Sequence, residues 1–320
     1  MIQKIGVLTS GGDAPGMNAA IRGVTRYALE HGILVEGILR GYEGLLRQES
    51  IPLDRRSVGT VIHRGGTMLR TARSDEFKQL EAQRQAIDFL KSKDIDALIV
   101  IGGDGSMKGA QCLSKLGMPT ITIPGTIDND MPGTQYTLGF DTAVNTVLES
   151  VNKIRDTASS HERVAVIEVM GRHSGFIALY SGMACGAEIV LVPEHEVSLQ
   201  DVCDHLNESH KQKKRSSIVI VAEGAMDGAD VRDYIKAHTY LEPNLTVLGY
   251  VQRGGAPSAF DAIMGGLFAK KAVDSLLAGT VNVVIGLLER RLVATPYTET
   301  DNLQFGIDDK MYQLVHELGR

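Results

Sequence analysis

A short polar loop at residues 124–130 holds the side chains best suited to chemistry. Asp128 and Asp130 stand two positions apart in it, Thr126 precedes Asp128 by two positions, and no lysine or arginine occurs among the seven residues. This set can take a proton from a substrate hydroxyl and hold water around a divalent cation. A plain polar turn remains an alternative, because Asp and Asn favour turns through local hydrogen bonds.

The residues before this loop indicate where it lies in the fold. Ile121-Thr122-Ile123 is a short apolar run, typical of a strand buried in a parallel sheet. Open α/β sheets bind their ligands beyond the carboxyl ends of the strands. We therefore expect the loop to lie at the ligand-binding edge of a sheet.

Two glycine-rich turns follow other strand-like runs. Residues 10–16 lead into a helix predicted from about Asn18 to Glu30, and residues 102–106 lead into a helix predicted to begin near Ser106, which can cap it. Glycines let backbone N–H groups approach a phosphate, and the helix adds its positive end. Asp104 is placed to meet a cation bound to phosphates. A purely structural turn remains open at both places.

Several arginines lie beside strands or glycine turns. Arg163 precedes the apolar run 164–169, Arg172 follows it, and Arg253 lies in the glycine-rich segment 249–255. Each alone is more typical of a solvated surface, but the three together indicate an anionic ligand. Arg73 could also clamp a phosphate, since it follows a glycine turn.

The remaining segments alternate between strand-like and helix-like patterns, which predicts an α/β fold. Predicted strands cover 34–39, 189–192, 218–221 and 283–287, and Glu223 closes the third of these. Predicted helices cover 55–64 (capped by Asp54), 75–91 (polar and outer), 140–158, 199–213 and 308–318. Cys203, His205 and His210 fit no common zinc spacing, so we interpret 199–213 as a solvated helix.

The composition argues against some classes of protein. The chain has 320 residues, a net charge of −6, 22% charged residues and no tryptophan. These values argue against a protein that binds nucleic acid or a membrane surface, and they predict two lobes. Three cysteines without metal spacing suit a reducing cytoplasm, and neither a signal peptide nor a membrane-spanning run is expected.

Seven motifs occur in one order along the chain: SGGDAPGMN (10–18), GGDGS (102–106), PGTIDND (124–130), SSHER (159–163), MGR (170–172), AEG (222–224) and QRGG (252–255). Together they resemble the bacterial ATP-dependent 6-phosphofructokinases of the phosphofructokinase A family. The resemblance implies two Rossmann-like lobes with mainly parallel sheets flanked by helices. Residues 1–139 with 252–304 would bind ATP, and residues 140–251 with 305–320 would bind the sugar phosphate.

The resemblance also implies roles for individual residues. Asp128 would be the base that takes the proton of the sugar's 1-hydroxyl, Thr126 and Arg172 would steady the transferring phosphoryl group, and Asp104 would hold Mg²⁺. The ATP site would comprise Gly12, Arg73, Ser74, Gly103, Asp104, Gly105 and Ser106. The fructose 6-phosphate site would comprise Thr126, Ile127, Asp128, Arg163, Met170, Gly171, Arg172, Glu223, Asn244, Tyr250 and Arg253.

Assembly and regulation are implied in the same way. The position of Arg163 reaches a neighbouring subunit's site in this family, so a homotetramer with shared active sites is expected, and a nucleotide effector is possible. The effector site would comprise Arg22, Arg26, Arg55, Arg155, Gly186, Ala187, Glu188, Lys214 and Arg215.

Two glycines bear on the identity of the phosphate donor. Relatives that use pyrophosphate usually carry Asp and Lys where this chain has Gly105 and Gly125, so the resemblance favours ATP; a pyrophosphate-dependent enzyme is the alternative.

The chain departs from the family pattern at four positions. The family commonly has Arg, His, Asp and Lys at the positions of Asn244, Tyr250, Phe176 and Gln212. Sugar-phosphate affinity and regulation are therefore less well supported than catalysis.

Two other classes of protein remain open. A nucleotide kinase of the NAD-kinase type would explain GGDGS but not MGR or Arg253. A non-catalytic sugar-phosphate or nucleotide sensor would be favoured only if Asp128 or Asp104 were missing, and both are present.

Overall fold

The computed structural model describes residues 2–319, which form two compact units. The first unit is the described part of Met1–Thr142 together with Arg253–Phe305, and the second is Ala143–Gln252 together with the described part of Gly306–Arg320. One boundary falls inside a long helix, so the chain passes between the units without a linker. No described helix is long and apolar enough to cross a membrane.

Strands and helices alternate along most of the chain. The strands are β1 Lys4–Ser10, β2 Leu34–Ile38, β3 Ser50–Leu53, β4 Ala97–Gly102, β5 Thr120–Pro124, β6 Val164–Val169, β7 Ile189–Leu191, β8 Ser217–Ala222, β9 Pro243–Val247, β10 Val283–Leu288 and β11 Arg291–Pro296. The helices are α1 Met17–Glu30, α2 Gly41–Arg47, α3 Leu80–Ser92, α4 Asp104–Lys115, α5 Phe140–Ser160, α6 Phe176–Cys185, α7 Leu199–Lys211, α8 Gly228–His238, α9 Ala259–Leu277 and α10 Asp309–Leu318.

Each unit is built on its own sheet. Within the described residues, the first sheet has the order β11-β10-β5-β4-β1-β2-β3, and only its edge strands β3 and β11 pair antiparallel. The second has the order β7-β8-β6-β9 and is parallel throughout. The prediction of an α/β fold with mainly parallel sheets is confirmed.

The central strands are apolar on both faces, which explains why helices flank them. All residues of β4 and β8 are buried, as expected for parallel strands covered on both sides. The helices α1 and α9 approach closely because they meet at glycines. A Cβ added at Gly23 would lie only 2.6 Å from the Cβ of Ala269.

The helix predicted at 55–64 is wrong, since this segment forms turns. Asp54 does behave as a cap: its Oδ1 accepts hydrogen bonds from the backbone N–H groups of Arg56 (2.9 Å) and Ser57 (2.7 Å). No helix propagates from it because Gly59 lowers helix propensity and only Val58 and Val61 are buried nearby. The local hydrogen bonds instead close a turn.

Two predicted polar helices are amphipathic. The segment predicted as one outer helix at 75–91 divides into a 3₁₀ turn at Glu76–Lys78 and α3, whose Ala86 and Leu90 are completely buried. The prediction of a solvated helix at 199–213 is wrong for one face of α7, because Cys203 and Leu206 on that face are fully buried in the core of the second unit. The charged residues on the other faces dominate both sequences and conceal the apolar stripes.

Candidate active site

Three neighbouring strands of the first sheet deliver their loops to one edge. The pairing register places Ser10 of β1 opposite Gly102 of β4, and Gly102 opposite Pro124 of β5. Because the strands are parallel, the two glycine turns and the aspartate loop leave the sheet at the same level. This is the carboxyl edge, where the sequence predicted ligand binding.

These loops surround a cavity of about 690 Å³, and all of its lining residues belong to the first unit. Many of the predicted site residues line it, namely Gly12, Arg73, Ser74, Gly103, Asp104, Gly105, Ser106, Thr126, Asp128 and Arg253. Asp130 and Gly125 also line it. The structure therefore brings together the residues predicted for ATP with two of those predicted for catalysis.

The N-terminus of α4 points its first turn at this cavity. The helix begins at Asp104 with Gly103 as the N-cap, so the predicted start near Ser106 with Ser106 as the cap is wrong. The preceding Gly102 is tightly packed, because a Cβ there would lie 2.4 Å from the carbonyl oxygen of Ser10 and 2.5 Å from Ser106 Oγ. No side chain caps the helix, so its first N–H groups remain available to an anion.

The two glycines that bear on the phosphate donor have different surroundings. No heavy atom lies within 4 Å of a Cβ added at Gly105, so that position faces open space. A Cβ added at Gly125 would lie 3.2 Å from both Ile101 Cγ2 and Met17 Cε, so that position is packed. The space at Gly105 is large enough to admit part of a ligand.

Hydrogen bonds fix the loop that carries Asp128. Asn129 is buried and has a left-handed backbone (φ 53°), and its Oδ1 accepts the N–H of Thr137 at 2.8 Å. Thr137 in turn donates from Oγ1 to the carbonyl oxygen of Thr126 at 2.6 Å. The N–H of Asp128 donates to Thr126 Oγ1 at 3.3 Å. Asp128, which lines the cavity, is therefore held by a loop whose neighbours are buried and bonded.

A second loop is tied to the end of β1. The Nδ2 of buried Asn18 donates to the carbonyl oxygen of Arg64 (3.0 Å), and its Oδ1 accepts the N–H of Met68 (2.7 Å). Thr71 Oγ1 donates to the carbonyl oxygen of Gly11 at 2.7 Å. This loop carries Arg73, whose side chain is exposed at the cavity.

Two residues complete this wall. Ser74 Oγ donates to Glu43 Oε2 at 2.8 Å, and this hydrogen bond, with one from Arg47, lowers the pKa of Glu43. Arg253 is half-buried, and its guanidinium lies over Gly12: a Cβ added there would be 2.1 Å from Nη1. Arg253 was predicted for the sugar phosphate, and within the first unit it faces the same cavity as the glycine turns.

Sequence reasoning missed an apolar part of the cavity. Tyr42 and Phe77 stack with ring centroids 4.2 Å apart, and both line the cavity with Gly109 and Cys112. The Tyr42 hydroxyl donates to the carbonyl oxygen of Ser106 at 2.5 Å, and burial raises the pKa of this phenol. Nothing local in the sequence signals the pair, because its members lie on separate elements and look like ordinary core residues.

The oxygen donors in the cavity suit a hard divalent cation. Asp104, Asp128, Asp130 and the hydroxyl of Thr126 all line it. In the described residues no group of three or more His, Cys, Asp or Glu side chains is close enough to hold a metal ion unaided. Mg²⁺ is commonly bound by one or two carboxylates together with water and substrate phosphates. The residues present therefore fit Mg²⁺ that arrives with a phosphate ligand.

The residues predicted for the sugar phosphate in the second unit divide between two edges of its sheet. Arg163 precedes β6, and Asn244 is the second residue of β9, so both lie at the amino edge. Met170, Gly171 and Arg172 follow β6, Glu223 follows β8 and Tyr250 follows β9, so these lie at the carboxyl edge. The six residues of β6 separate the edges by about 20 Å.

The loops at the carboxyl edge pack tightly against each other. Val169 pairs with Ala222 in the register, so the loops of Arg172 and Glu223 start side by side. The N–H of Met170 donates to Gln252 Oε1 at 3.1 Å, and a Cβ added at Gly224 would lie 2.0 Å from the carbonyl oxygen of Arg172. Arg172 and Glu223 are both exposed, so they are available to a ligand.

At the amino edge, a smaller cavity of about 270 Å³ is lined by Lys153, Ile154, Thr157, Ala158, Arg163, Val164, Ala165, Asn244 and Thr246. Arg163 and Asn244 therefore line the same cavity, and their predicted role in binding one sugar phosphate requires them to be close. Asn244 pairs with Ala165 across the strands, and both Arg163 and Asn244 are exposed. Within one chain they do not meet Arg172 or Tyr250.

The predicted effector residues form a group within each unit. In the second unit, Arg155 donates to the carbonyl oxygen of Cys185, and buried Glu188 accepts Lys214 Nζ at 2.8 Å. Gly186 has φ 63° with open space around its Cβ position, Ala187 is buried, and Arg215 pairs with Glu162 at 2.8 Å.

The first unit holds the other three effector residues. Arg26 Nη2 donates to the carbonyl oxygen of Arg55 at 3.3 Å, and Arg55 pairs with Glu30. The Nε atoms of Arg22 and Arg26 are buried and make no hydrogen bond with any described residue. Of the other family departures, Phe176 is buried at the start of α6 and Gln212 is the C-cap of α7. The structure tests none of these regulatory roles.

Comparisons with known proteins agree on one family. The family model described as Phosphofructokinase matches residues 4–276. The chain is 50% identical over 317 residues to the ATP-dependent 6-phosphofructokinase of Shouchella clausii (strain KSM-K16), covering 99% of both chains. It is 48% identical over 319 residues to ATP-dependent 6-phosphofructokinase 1 of Clostridium perfringens (strain 13 / Type A), covering 100% of both.

Solved structures give the same fold. The phosphofructokinase of Saccharomyces cerevisiae superposes with a TM-score of 0.88 at 37% identity, covering 94% of this chain and 45% of the yeast chain. A pyrophosphate-dependent phosphofructokinase from Nitrosospira multiformis gives a TM-score of 0.87 at 22% identity, covering 99% of this chain and 91% of that one. The second similarity concerns the fold alone.

Proposed function

Because the chain belongs to the phosphofructokinase family, we propose that it is an ATP-dependent 6-phosphofructokinase. It transfers the γ-phosphoryl group of ATP to the 1-hydroxyl of fructose 6-phosphate, which gives fructose 1,6-bisphosphate and ADP in glycolysis. The observation that carries this proposal is that Asp128, Asp104 and the uncapped start of α4 line one cavity. Full-length similarity to ATP-dependent 6-phosphofructokinases supports the same reaction.

The nucleotide site is assigned to the first unit. The stacked rings of Tyr42 and Phe77 offer apolar surface for the base. The glycine turns and the first N–H groups of α4 offer donors for the phosphates, and Arg73 adds a positive charge at the cavity. These features together match a ligand with a flat apolar end and an anionic end.

Asp128 is the proposed general base. As the 1-hydroxyl oxygen forms its bond to the γ-phosphorus, the bond from that phosphorus to the bridging oxygen of ADP breaks, and the hydroxyl proton passes to Asp128. Thr126 and Arg172 steady the phosphoryl group in this proposal, the latter by resemblance to the family. Asp104 would hold Mg²⁺, which neutralises charge on the phosphates when bound.

Two features support ATP over pyrophosphate as the donor. Gly105 faces open space at the start of α4, where a carboxylate would repel phosphate groups, and Gly125 leaves no room for a long cationic side chain without movement of Ile101 or Met17. The Tyr42–Phe77 surface would have no counterpart in a pyrophosphate molecule.

The homotetramer with shared sites remains part of the proposal. Arg163 and Asn244 lie at the edge of the sheet opposite to Arg172 and Glu223, so the two pairs cannot hold one sugar phosphate within a single chain. A neighbouring subunit would supply the amino-edge pair. Apolar side chains also remain exposed on α9 at helical spacing, namely those of Phe260, Ile263 and Leu267.

We assign the enzyme to the cytoplasm, where its substrates would be available and where three free cysteines persist. A nucleotide effector is proposed for the predicted residues of the second unit around Arg155, Glu188 and Lys214.

An initial-rate assay tests the reaction. The purified chain is mixed with fructose 6-phosphate, Mg²⁺ and either ATP or pyrophosphate, and fructose 1,6-bisphosphate is measured through coupling enzymes. We expect product with ATP and no measurable rate with pyrophosphate. Product with pyrophosphate alone would overturn the donor assignment, and no product with either would overturn the function.

A further inference from the structure

The first turn of α4 carries an ion pair that phosphoryl transfer by itself does not require. Lys108 Nζ lies 2.6 Å from Asp104 Oδ2, one helical turn away, and the side chains are 68% and 37% exposed. Exposed pairs at this spacing contribute little to stability. Stability alone is therefore a weak reason for the pair.

The location of the pair distinguishes it from similar ones. Glu149–Lys153 and Lys270–Asp274 have the same spacing, but none of their residues lines the 690 Å³ cavity. Asp104 and Lys108 both line it, and Gly105 beside Asp104 faces open space. The ammonium group thus lies in the cavity, on the carboxylate proposed to hold the divalent cation.

An ammonium group and a divalent cation cannot both occupy the same side of one carboxylate oxygen without strong repulsion. A divalent cation bound at Asp104 would therefore weaken the Lys108–Asp104 pair and take over the neutralisation of the carboxylate. Without a cation, Lys108 offsets the negative charge that Asp104 presents to the phosphates of a nucleotide in the cavity.

We propose that Lys108 is a built-in cation of the nucleotide site, which neutralises Asp104 while no divalent cation is bound, so that the carboxylate does not repel nucleotide phosphates. This proposal rests on the proposed function, since it takes the cavity to be the nucleotide site. Lys108 favours metal-free nucleotide, which would otherwise face an uncompensated carboxylate, and opposes the metal-loaded form, whose cation it repels. It therefore sets how strongly nucleotide binding depends on Mg²⁺.

Isothermal titration calorimetry with ADP tests this dependence on the wild type and on Lys108→Met. Methionine keeps the length and helix propensity of lysine but removes its charge. The measured quantity is the dissociation constant for ADP in EDTA divided by that for ADP in excess MgCl₂. We expect this ratio to rise about tenfold in Lys108→Met, because Asp104 then faces the phosphates without a compensating charge only in the metal-free complex. Lys108→Arg should restore most of the wild-type ratio.

Lys115→Met is the matched control. Lys115 is exposed on the same helix and does not line the cavity, so its removal changes the net charge equally and should leave the ratio unchanged. The proposal would be overturned if Lys108→Met weakened ADP binding equally with and without Mg²⁺. It would also be overturned if Lys115→Met changed the ratio as much as Lys108→Met does. If wild-type protein binds ADP under neither condition, the assignment of the cavity to a nucleotide fails instead.

Discussion

The cavity of the first unit and the cavity of the second unit are built in different ways. The first collects loops from three adjacent strand ends and contains backbone donors, carboxylates and an apolar surface. The second lies beside α5 at the amino edge of its sheet and offers Arg163, Lys153 and Asn244. Each cavity is lined by residues of one unit only.

This difference indicates which of the two proposed sites a single chain can form by itself. The first cavity holds, within one unit, the residues of the proposed nucleotide site. The second has cationic side chains but lies about 20 Å along the strands from the other predicted sugar-phosphate residues. We therefore propose that a second subunit completes the sugar-phosphate site, whereas the proposed donor site needs one unit only. The following predictions test that contrast.

The largest effect is expected for Asp128→Asn. The amide keeps the shape of the side chain and can still accept hydrogen bonds, but it cannot take the proton from the 1-hydroxyl. We expect kcat to fall about 10²–10⁴-fold, with ADP binding unchanged. Steady-state kinetics combined with ADP titration measures both quantities. A kcat within about threefold of wild type would remove Asp128 from the role of base.

Gly105→Asp tests the donor cavity. The position is open and lies in the first turn of α4, so an aspartate should fold without strain and complement the helix dipole. Its charge would repel the nucleotide phosphates, and we expect about 10- to 100-fold weaker ADP binding.

Gln111→Glu is the control for this variant, because it adds the same charge to α4 at a residue that does not line the cavity. The donor assignment would be wrong if Gly105→Asp retained wild-type affinity for ADP, or if the control weakened binding equally.

Asn244→Arg tests the cavity at the amino edge. A guanidinium can form a charge-assisted, often bidentate, bond with a phosphate that the Asn amide cannot match. We expect about a tenfold lower half-saturating concentration of fructose 6-phosphate, with ATP saturation nearly unchanged. More sigmoidal saturation is expected as well, since the contact would cross a subunit interface.

Gln200→Arg adds an equal charge at an exposed residue of α7 away from this cavity, and should leave both saturation curves unchanged. An unaltered sugar-phosphate curve in Asn244→Arg would mean that residue 244 does not reach the ligand, or that another basic residue already fills the gap.

The smallest effect is expected for Tyr42→Phe. This change removes the hydroxyl that donates to the carbonyl oxygen of Ser106 but keeps the ring stacked on Phe77. We expect the free energy of unfolding in urea to fall by about 0.5–1.5 kcal/mol. ADP affinity should change little, because the apolar surface remains. A large loss of ADP affinity without loss of stability would show that the hydroxyl, and not the ring, serves the nucleotide.

The sequence predicted the parts of the fold that depend on local pattern. Apolar runs identified β6 and β8 to within a residue, because strands buried on both faces are continuously hydrophobic. The same pattern placed Asp128 beyond the end of β5. The residues that form the core of the donor cavity were therefore accessible from sequence.

The failures arise where distant contacts decide the structure. Ser106, predicted as a cap, lies in the first turn of α4, and its Oγ is directed at Gly102, which is itself packed against Ser10 of another strand; Gly103 is the N-cap. Tyr42 and Phe77 meet only after the chain has folded. The separation of Arg163 from Arg172, in contrast, was accessible from sequence, because the two residues flank the apolar run that forms β6.

A crystal structure of the enzyme with ADP, Mg²⁺ and fructose 1,6-bisphosphate would test both proposed sites at once. We predict the adenine against Tyr42 and Phe77, the ADP phosphates at the start of α4, and the sugar 1-phosphate beside Asp128. We also predict that Arg163 on the 6-phosphate comes from a neighbouring subunit. A nucleotide bound outside the first-unit cavity, or a 6-phosphate held by residues of one chain alone, would contradict these predictions.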